Sequence, residues 1–81
     1  MHIEEVVKQV IASCFVCDIS ELDLNTHLVK ELYADSIDMM DIVFILEDVF
    51  NINIDEHEIP KMKTIKGICD IVNQHVVASE K

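Results

Sequence analysis

The stretch that decides the fold is Glu31-Leu32-Tyr33-Ala34-Asp35-Ser36-Ile37-Asp38-Met39-Met40-Asp41-Ile42. Asp35 is a favoured N-cap residue, because its carboxylate can accept a hydrogen bond from the first free backbone N–H groups of a helix. The fifteen residues that follow Asp35 contain neither Gly nor Pro. The pattern therefore predicts a helix over residues 35–50.

Ser36 falls in the first turn of this predicted helix. A hydroxyl at that position projects from the end of the helix where the dipole and the unpaired N–H groups favour a phosphate-type substituent. The position therefore suits a phosphoester. The alternative is an ordinary serine that helps to cap the helix.

The predicted helix has two apolar faces. At about 100° per residue, one broad face is expected to pack into the core. It comprises Met39, Ile42, Val43, Leu46, Val49 and Phe50. A second strip, of Ile37, Met40 and Phe44, is framed by the carboxylates of Asp41, Glu47 and Asp48. We expect this strip, with Asp38, to dock partner proteins, although outward apolar residues are also ordinary or can meet another part of the chain.

The motif Asp35-Ser36-Ile37-Asp38, the acidic helix after it and Phe50-Asn51-Ile52-Asn53-Ile54 resemble an acyl carrier protein over nearly the whole chain. In that family the serine of an Asp-Ser-Leu motif carries 4'-phosphopantetheine from coenzyme A, whose thiol holds an acyl chain as a thioester. The resemblance implies that Ser36 is the attachment residue, with Asp35 and Asp38 as flanking acids and Ile37 in place of leucine. It also implies a carrier without catalytic activity, served by a phosphopantetheinyl transferase and by enzymes that synthesise or transfer acyl groups.

Two features depart from the general family pattern. Tyr33 stands where the family usually has Gly, so we expect the loop to adopt a conformation that a bulky residue tolerates. In addition, three segments more closely resemble the invasion-associated carriers encoded beside type III secretion systems. They are Thr26-His27-Leu28-Val29, Leu32-Tyr33-Ala34-Asp35-Ser36 and Asp41-Ile42-Val43-Phe44. This resemblance implies a role in secretion or virulence, with secretion proteins among the partners, in place of housekeeping fatty-acid synthesis.

The composition fits one small domain, residues 1–81, that binds other proteins. Sixteen acidic residues against six lysines and no arginine give a net charge of −10. Such a surface repels nucleic acid and anionic lipid and favours partners with basic patches, although acidity can also serve solubility alone. No apolar run reaches the length of a membrane span, and Glu4 and Glu5 do not fit a signal peptide. We expect a monomeric cytoplasmic protein that neither binds nucleic acid nor inserts into membranes, and the resemblance to carriers of secretion gene clusters implies a bacterial one.

The remaining pattern predicts an all-α, four-helix bundle with three longer helices and one short one. Apolar spacing predicts helices over residues 2–15 and 64–77, the latter capped by Thr64 and weakened by Gly67. Asp55 and Glu58 have capping-box spacing, so a short helix is expected over residues 55–59, before Pro60. Residues 16–34 are expected to form an ordered connection with a helical turn capped by Thr26, and residues 78–81 a frayed tail.

An acyl carrier also needs an adaptable apolar interior that can hold the acyl chain. The apolar stripes of the predicted helices supply candidates for lining such an acyl pocket. These are Met39, Leu46, Ile54, Ile59, Ile68 and Val72.

Two other classes of function compete with the carrier. In the first, Ser36 stays unmodified and the acidic helical module binds a secretion component or an effector. In the second, Ser36 is the nucleophile of a hydrolase. The sequence disfavours the hydrolase, because it has no Gly-x-Ser-x-Gly motif and no histidine near Ser36 in sequence.

No metal or redox site is predicted. The four histidines are scattered and form no zinc-ligand cluster. Residues 51–62 contain no Gly, and Met62 stands at the last position, where an EF-hand loop requires a bidentate Glu. Cys14 and Cys17 have the spacing of a redox motif, but no strand precedes them. Cys14 and Cys69 fall on apolar stripes, so we expect reduced, buried thiols.

Overall fold

Four α-helices and two 3-10 helices form the chain over residues 2–79, the part that this computed structural model describes. The α-helices are α1 (Ile3–Phe15), α2 (Leu28–Leu32), α3 (Ser36–Phe50) and α4 (Ile65–Ser79). The first 3-10 helix is Ile19–Glu21 and the second is Glu56–Lys61. The predicted all-α bundle of three longer helices and one short helix is confirmed.

The core lies where the three long helices meet, and α2 and the segment before α4 close it. Its fully buried side chains are Val7, Ile11, Leu28, Ile42, Leu46, Met62, Ile65, Ile68 and Val72. Burial of an aliphatic side chain of this size stabilises a fold by about 1.5–3 kcal/mol. This cluster is therefore the main source of stability in a chain without a disulfide among its described residues.

The prediction is wrong for one residue of the core face of α3. Val49 is 45% exposed, whereas Met39, Ile42, Val43, Leu46 and Phe50 are buried as predicted. Val49 lies at the edge of the apolar arc, where it meets solvent beside α1 and lines a shallow surface groove with Val6, Val10 and Ile45. The inward arc of α3 is thus narrower than the hydrophobic pattern indicates.

The helix starts follow the predicted capping chemistry. Asp35 Oδ1 accepts a hydrogen bond from the Asp38 N–H at 2.9 Å, and Asp38 Oδ2 accepts one from the Asp35 N–H at 3.2 Å. At the start of α4, the Thr64 hydroxyl accepts from the Gly67 N–H at 3.0 Å.

The end of α4 differs from the prediction: the helix continues through Ser79, because no Gly or Pro follows Val77 to stop it. Residues 80 and 81 of the expected tail lie outside the described residues.

The connection between α1 and α3 is ordered by side-chain caps. The helical turn expected there is α2, but its cap is His27 instead of Thr26: His27 Nδ1 accepts from the Lys30 N–H at 3.1 Å. Thr26 is buried, and its hydroxyl accepts from the Asp23 N–H at 2.9 Å. Thr26 therefore stabilises the turn before α2 and leaves the cap to the next residue.

Backbone hydrogen bonds tie this connection to the start of α4. The Leu28 N–H donates to the Lys63 carbonyl at 2.7 Å, the Ile65 N–H to the Thr26 carbonyl at 3.2 Å, and an isolated antiparallel bridge pairs His27 with Thr64. These bonds join segments far apart in sequence. They hold α2 and the segment before α4 side by side at one end of the bundle.

The predicted short helix is a 3-10 helix that passes through Pro60. Its capping box is confirmed: Asp55 Oδ1 accepts from the His57 N–H at 3.0 Å, and Glu58 Oε2 accepts from the Asp55 N–H at 2.9 Å. It ends at Lys61, two residues beyond the expected end. The fixed φ of proline is compatible with a 3-10 turn, and the ring removes only one backbone donor.

The three cysteines are free thiols, and each is half-buried against the core. Burial raises the pKa of Cys69 to about 11, with a further contribution from Glu4. Burial also raises the pKa of Cys14. The expected reduced state fits these surroundings, although the thiols are only partly buried.

Candidate functional site

Ser36 is the first residue of α3 and its side chain is exposed. The reciprocal hydrogen bonds between Asp35 and Asp38 fix the first turn around it. Just before the motif, Ala34 is buried and its N–H donates to the Leu28 carbonyl at 3.0 Å. The hydroxyl is thus held at the start of a rigid helix and remains open to solvent.

Tyr33, which closes α2, has a left-handed backbone with φ 58° and ψ 34°. The expectation of a conformation that suits a bulky residue is therefore wrong. In this left-handed turn the N–H groups of Tyr33 and Ala34 both donate to the Leu28 carbonyl, and these bonds end the short helix. Glycine adopts this conformation without strain, whereas tyrosine is strained by its Cβ.

A cavity of about 390 Å³ opens beside Ser36. It lies between α2, the start of α3 and the second 3-10 helix. Its lining residues are Val29, Ala34, Asp35, Ser36, Met39, Met40, Ile59, Pro60 and Lys63. Most of the lining is apolar, so the cavity can accept a hydrocarbon chain. A slightly larger depression of about 480 Å³ at the end of α1 shares none of these residues.

The six predicted pocket residues divide into two groups. Met39 and Ile59 line the cavity beside Ser36. Leu46, Ile68 and Val72 are fully buried in the core and do not line the cavity, and neither does Ile54, which is 8% exposed. The cavity also includes Val29, Pro60 and Lys63, which sequence reasoning missed. The long-range bridge between His27 and Thr64 brings these residues together, and helical periodicity does not report such pairings.

The predicted docking strip is exposed on α3. Ile37 is 71% exposed, Phe44 58% and Met40 37%, and Met40 also lines the cavity. The carboxylates around the strip differ in their surroundings. The side chains of Asp41 and Asp48 are exposed. Glu47 is half-buried and its Oε2 accepts from the Ile54 N–H at 2.8 Å, while Asp38 belongs to the capping box.

The structure also bears on metal binding and on membrane crossing. Across the described part of the chain, no cluster of three or more His, Cys, Asp or Glu side chains is arranged to hold a metal ion. Within residues 2–79, no helix is both long and apolar enough to cross a membrane.

Comparison with known proteins identifies the family. The family described as "Phosphopantetheine attachment site" matches residues 5–72. An acyl carrier protein from Chlamydia caviae is 32% identical over 68 residues, which cover 84% of this chain and 88% of that protein. An acyl carrier protein from Thermosynechococcus vestitus is 30% identical over 77 residues, 95% of each chain.

A solved structure agrees with this assignment. The apo doublet acyl carrier protein from prodigiosin biosynthesis superposes with a TM-score of 0.77 at 30% identity, over 90% of this chain and 35% of that one. The chain thus spans about a third of that solved protein. Because the family match covers most of the sequence and the fold agrees, the chain belongs to the acyl carrier proteins, which are carriers and not enzymes and hold a covalent 4'-phosphopantetheine.

Proposed function

We propose that Ser36 is the attachment residue for 4'-phosphopantetheine and that the chain carries an acyl group on this arm. One observation supports the proposal above all: the Ser36 side chain is exposed, is fixed at the start of α3, and lines the mouth of an apolar cavity. A phosphoester on this oxygen would find room in solvent. An acyl chain on the arm would find an apolar wall within reach.

Attachment would make Ser36 Oγ the nucleophile. It would form a bond to the phosphorus that bears the pantetheine arm, and the rest of coenzyme A would leave with the electrons of the broken P–O bond. The hydroxyl proton would pass to a base of the transferase. In this role the chain presents an oriented hydroxyl, and Asp35, whose carboxylate caps α3, keeps that hydroxyl at the helix terminus.

The cavity is the proposed shelter for the acyl chain. Its volume of about 390 Å³ falls within the usual range of about 300–1,000 Å³ for small-molecule sites. Met39 and Met40 form part of its wall, and methionine adapts readily to different ligand shapes. The side chains of Leu46, Ile54, Ile68 and Val72 are buried in the core and do not line the cavity. We propose that a longer chain reaches them by parting the helices.

Partners are proposed to dock on α3. Acyl carrier proteins interact with phosphopantetheinyl transferases and with enzymes that handle acyl groups. Here the exposed Ile37, Met40 and Phe44 supply apolar contact area, and Asp41 and Asp48 supply negative charge. A basic patch on the partner would complement this surface and speed the encounter. Asp38 and Glu47 contribute charge while also holding the backbone.

A secretion-linked role is the finer part of the proposal. Support comes from the residues that resemble the carriers of type III secretion gene clusters, at positions 26–29, 32–36 and 41–44. Deletion of the gene in its native host tests this role. Loss of secretion with normal growth supports it, whereas a growth defect that added fatty acids relieve points to housekeeping fatty-acid synthesis.

The attachment proposal is tested by intact mass after co-expression with a broad phosphopantetheinyl transferase. Wild type and Ser20→Ala, which alters an exposed serine of the first 3-10 helix, should both gain the arm. Ser36→Ala should gain none. A wild-type protein that stays unmodified, or an adduct that persists in Ser36→Ala, would overturn the proposal.

The second candidate function is an unmodified interaction module. Tyr33 favours it, because this aromatic residue is 84% exposed and lies two positions before Asp35, where a partner protein could contact it. This candidate requires that protein purified from the native host always carries a bare Ser36. Mass analysis of the native protein separates the two functions.

A further inference from the structure

The cavity beside Ser36 contains one basic side chain among the described residues that line it, and that residue is Lys63. The other charged lining residue is Asp35, and Asp38 lies one turn further along α3. The chain as a whole carries a net charge of −10. An anionic group attached to Ser36 would therefore sit among carboxylates, and Lys63 would be its cationic neighbour on the cavity wall.

The backbone of Lys63 is held in place by long-range bonds. Its carbonyl accepts from the Leu28 N–H at 2.7 Å, and the next residue, Thr64, pairs with His27 across the antiparallel bridge. The side chain of Lys63 is exposed. The side chain of Lys63 therefore extends from a fixed backbone position beside the cavity. Its flexible alkyl stem lets the terminal ammonium group reach a nearby anion.

Lys61 provides a comparison within the same segment. It is also exposed and lies two residues away, but it does not line the cavity. Its carbonyl faces α4 at Gly67. The two lysines contribute equally to the net charge of the chain and differ in whether they line the cavity beside Ser36.

We propose that Lys63 binds the phosphodiester of the arm on Ser36 and thereby holds the arm over the cavity. This inference rests on the proposed function, because it requires the arm to be attached there. The physical reason is charge: a phosphodiester is anionic, and an ammonium group at close range offsets repulsion from Asp35 and Asp38. The lysine would thus act as a positioning residue for the arm.

The test is phosphorus NMR of the arm-bearing protein without any acyl enzyme present. Wild type, Lys63→Gln, Lys63→Arg and the control Lys61→Gln are compared from about 0.01 to about 1 M NaCl, which shortens the Debye length from about 30 to about 3 Å. In wild type, Lys63→Arg and Lys61→Gln, the phosphodiester resonance should move with salt. In Lys63→Gln it should stay near the high-salt position throughout.

The possible results separate this inference from the proposed function. A resonance in Lys63→Gln that matches wild type at every salt concentration overturns the role of Lys63 and leaves attachment at Ser36 intact. Loss of the response in Lys61→Gln as well overturns it too, because the effect would then be general. A wild-type protein with no phosphodiester resonance defeats the proposed function and this inference together.

Discussion

His75 Nε2 lies 2.9 Å from Glu58 Oε2 and 3.0 Å from Glu58 Oε1, and this contact joins α4 to the second 3-10 helix. Glu58 Oε2 also accepts from the Asp55 N–H at 2.9 Å. The neighbouring residues Ile59 and Pro60 form one wall of the cavity beside Ser36. A single carboxylate therefore caps the 3-10 helix and anchors the cavity wall to the bundle.

The first prediction concerns the pH dependence of this contact. The backbone hydrogen bond at Asp55, followed by the bond to His75, lowers the pKa of Glu58 below its ordinary value of 4.5. The unfolded chain therefore takes up the proton first as pH falls. The contribution of Glu58 to stability is complete above pH 4.5 and is lost as pH falls through the lower folded-state pKa. Glu58→Gln should lower the urea midpoint at neutral pH and lower it less at about pH 3.

The control for this prediction is Glu56→Gln, a neighbouring exposed residue of the same 3-10 helix. It removes the same charge and should show a smaller change of midpoint at neutral pH. An equal loss in Glu58→Gln at both pH values would mean that the ionised carboxylate does not contribute through these hydrogen bonds.

The second prediction concerns Gly67 in α4. A Cβ at this position would clash with the Lys61 carbonyl oxygen, which is backbone and cannot rotate away. Gly67→Ala should therefore destabilise the fold, since steric overpacking costs about 1–3 kcal/mol and the gain in helix propensity is at most about 1 kcal/mol. Thermal melting checks this, with the exposed Gln74→Ala as the control in α4. A raised melting temperature would show that the 3-10 helix moves away freely.

The third prediction concerns the left-handed backbone of Tyr33. A residue with a Cβ is strained there by about 1–2 kcal/mol, and glycine gives back about 0.5–1 kcal/mol through the entropy of the unfolded chain. Tyr33→Gly should therefore be more stable than Tyr33→Ala by up to about 1.5 kcal/mol. Urea denaturation measures the difference. The alanine variant is the matched control, because both variants remove the exposed ring and only glycine relieves the strain.

The fourth prediction compares two apolar residues of α3. Leu46 is fully buried and Val49 is 45% exposed. Leu46→Ala should lower the free energy of unfolding by about 2–5 kcal/mol, and Val49→Ala should lower it by less than about 1 kcal/mol. Equal losses would mean that Val49 packs against the core in solution.

The fifth prediction concerns docking on α3. Asp41→Lys should lower kcat/KM for the transferase by about tenfold at low salt, and the loss should shrink at high salt, because exposed charges steer the encounter and are screened. Asp41 is preferred to Asp38 for this test, since Asp38 caps α3 and its loss would weaken the helix. Asp70→Lys on α4 changes the net charge equally and should leave the rate nearly unchanged. An equal loss in both variants would indicate a general charge effect.

The sequence predicts what depends on local chemistry. Asp35, Thr64 and the Asp55–Glu58 pair mark three helix starts, because capping involves residues only a few positions apart. The sequence is less informative about which distant segments of the chain contact each other. The positions of Val29 and Lys63 beside Ser36 depend on the bridge between His27 and Thr64, which joins residues 37 positions apart. The exposure of Val49 likewise depends on how α1 crosses α3, which periodicity along one helix does not specify.

The half-buried thiols of α1 and α4 have a consequence for cargo fidelity. A thiolate attacks a thioester far faster than a neutral thiol does, and burial raises the pKa of Cys14 and of Cys69, which disfavours the thiolate form of each. These two sulfur atoms would therefore attack an acyl thioester on an arm at Ser36 more slowly than a thiol of ordinary pKa would. If Ser36 bears the proposed arm, the packing that stabilises the bundle also slows the loss of the acyl group to the carrier's own thiols.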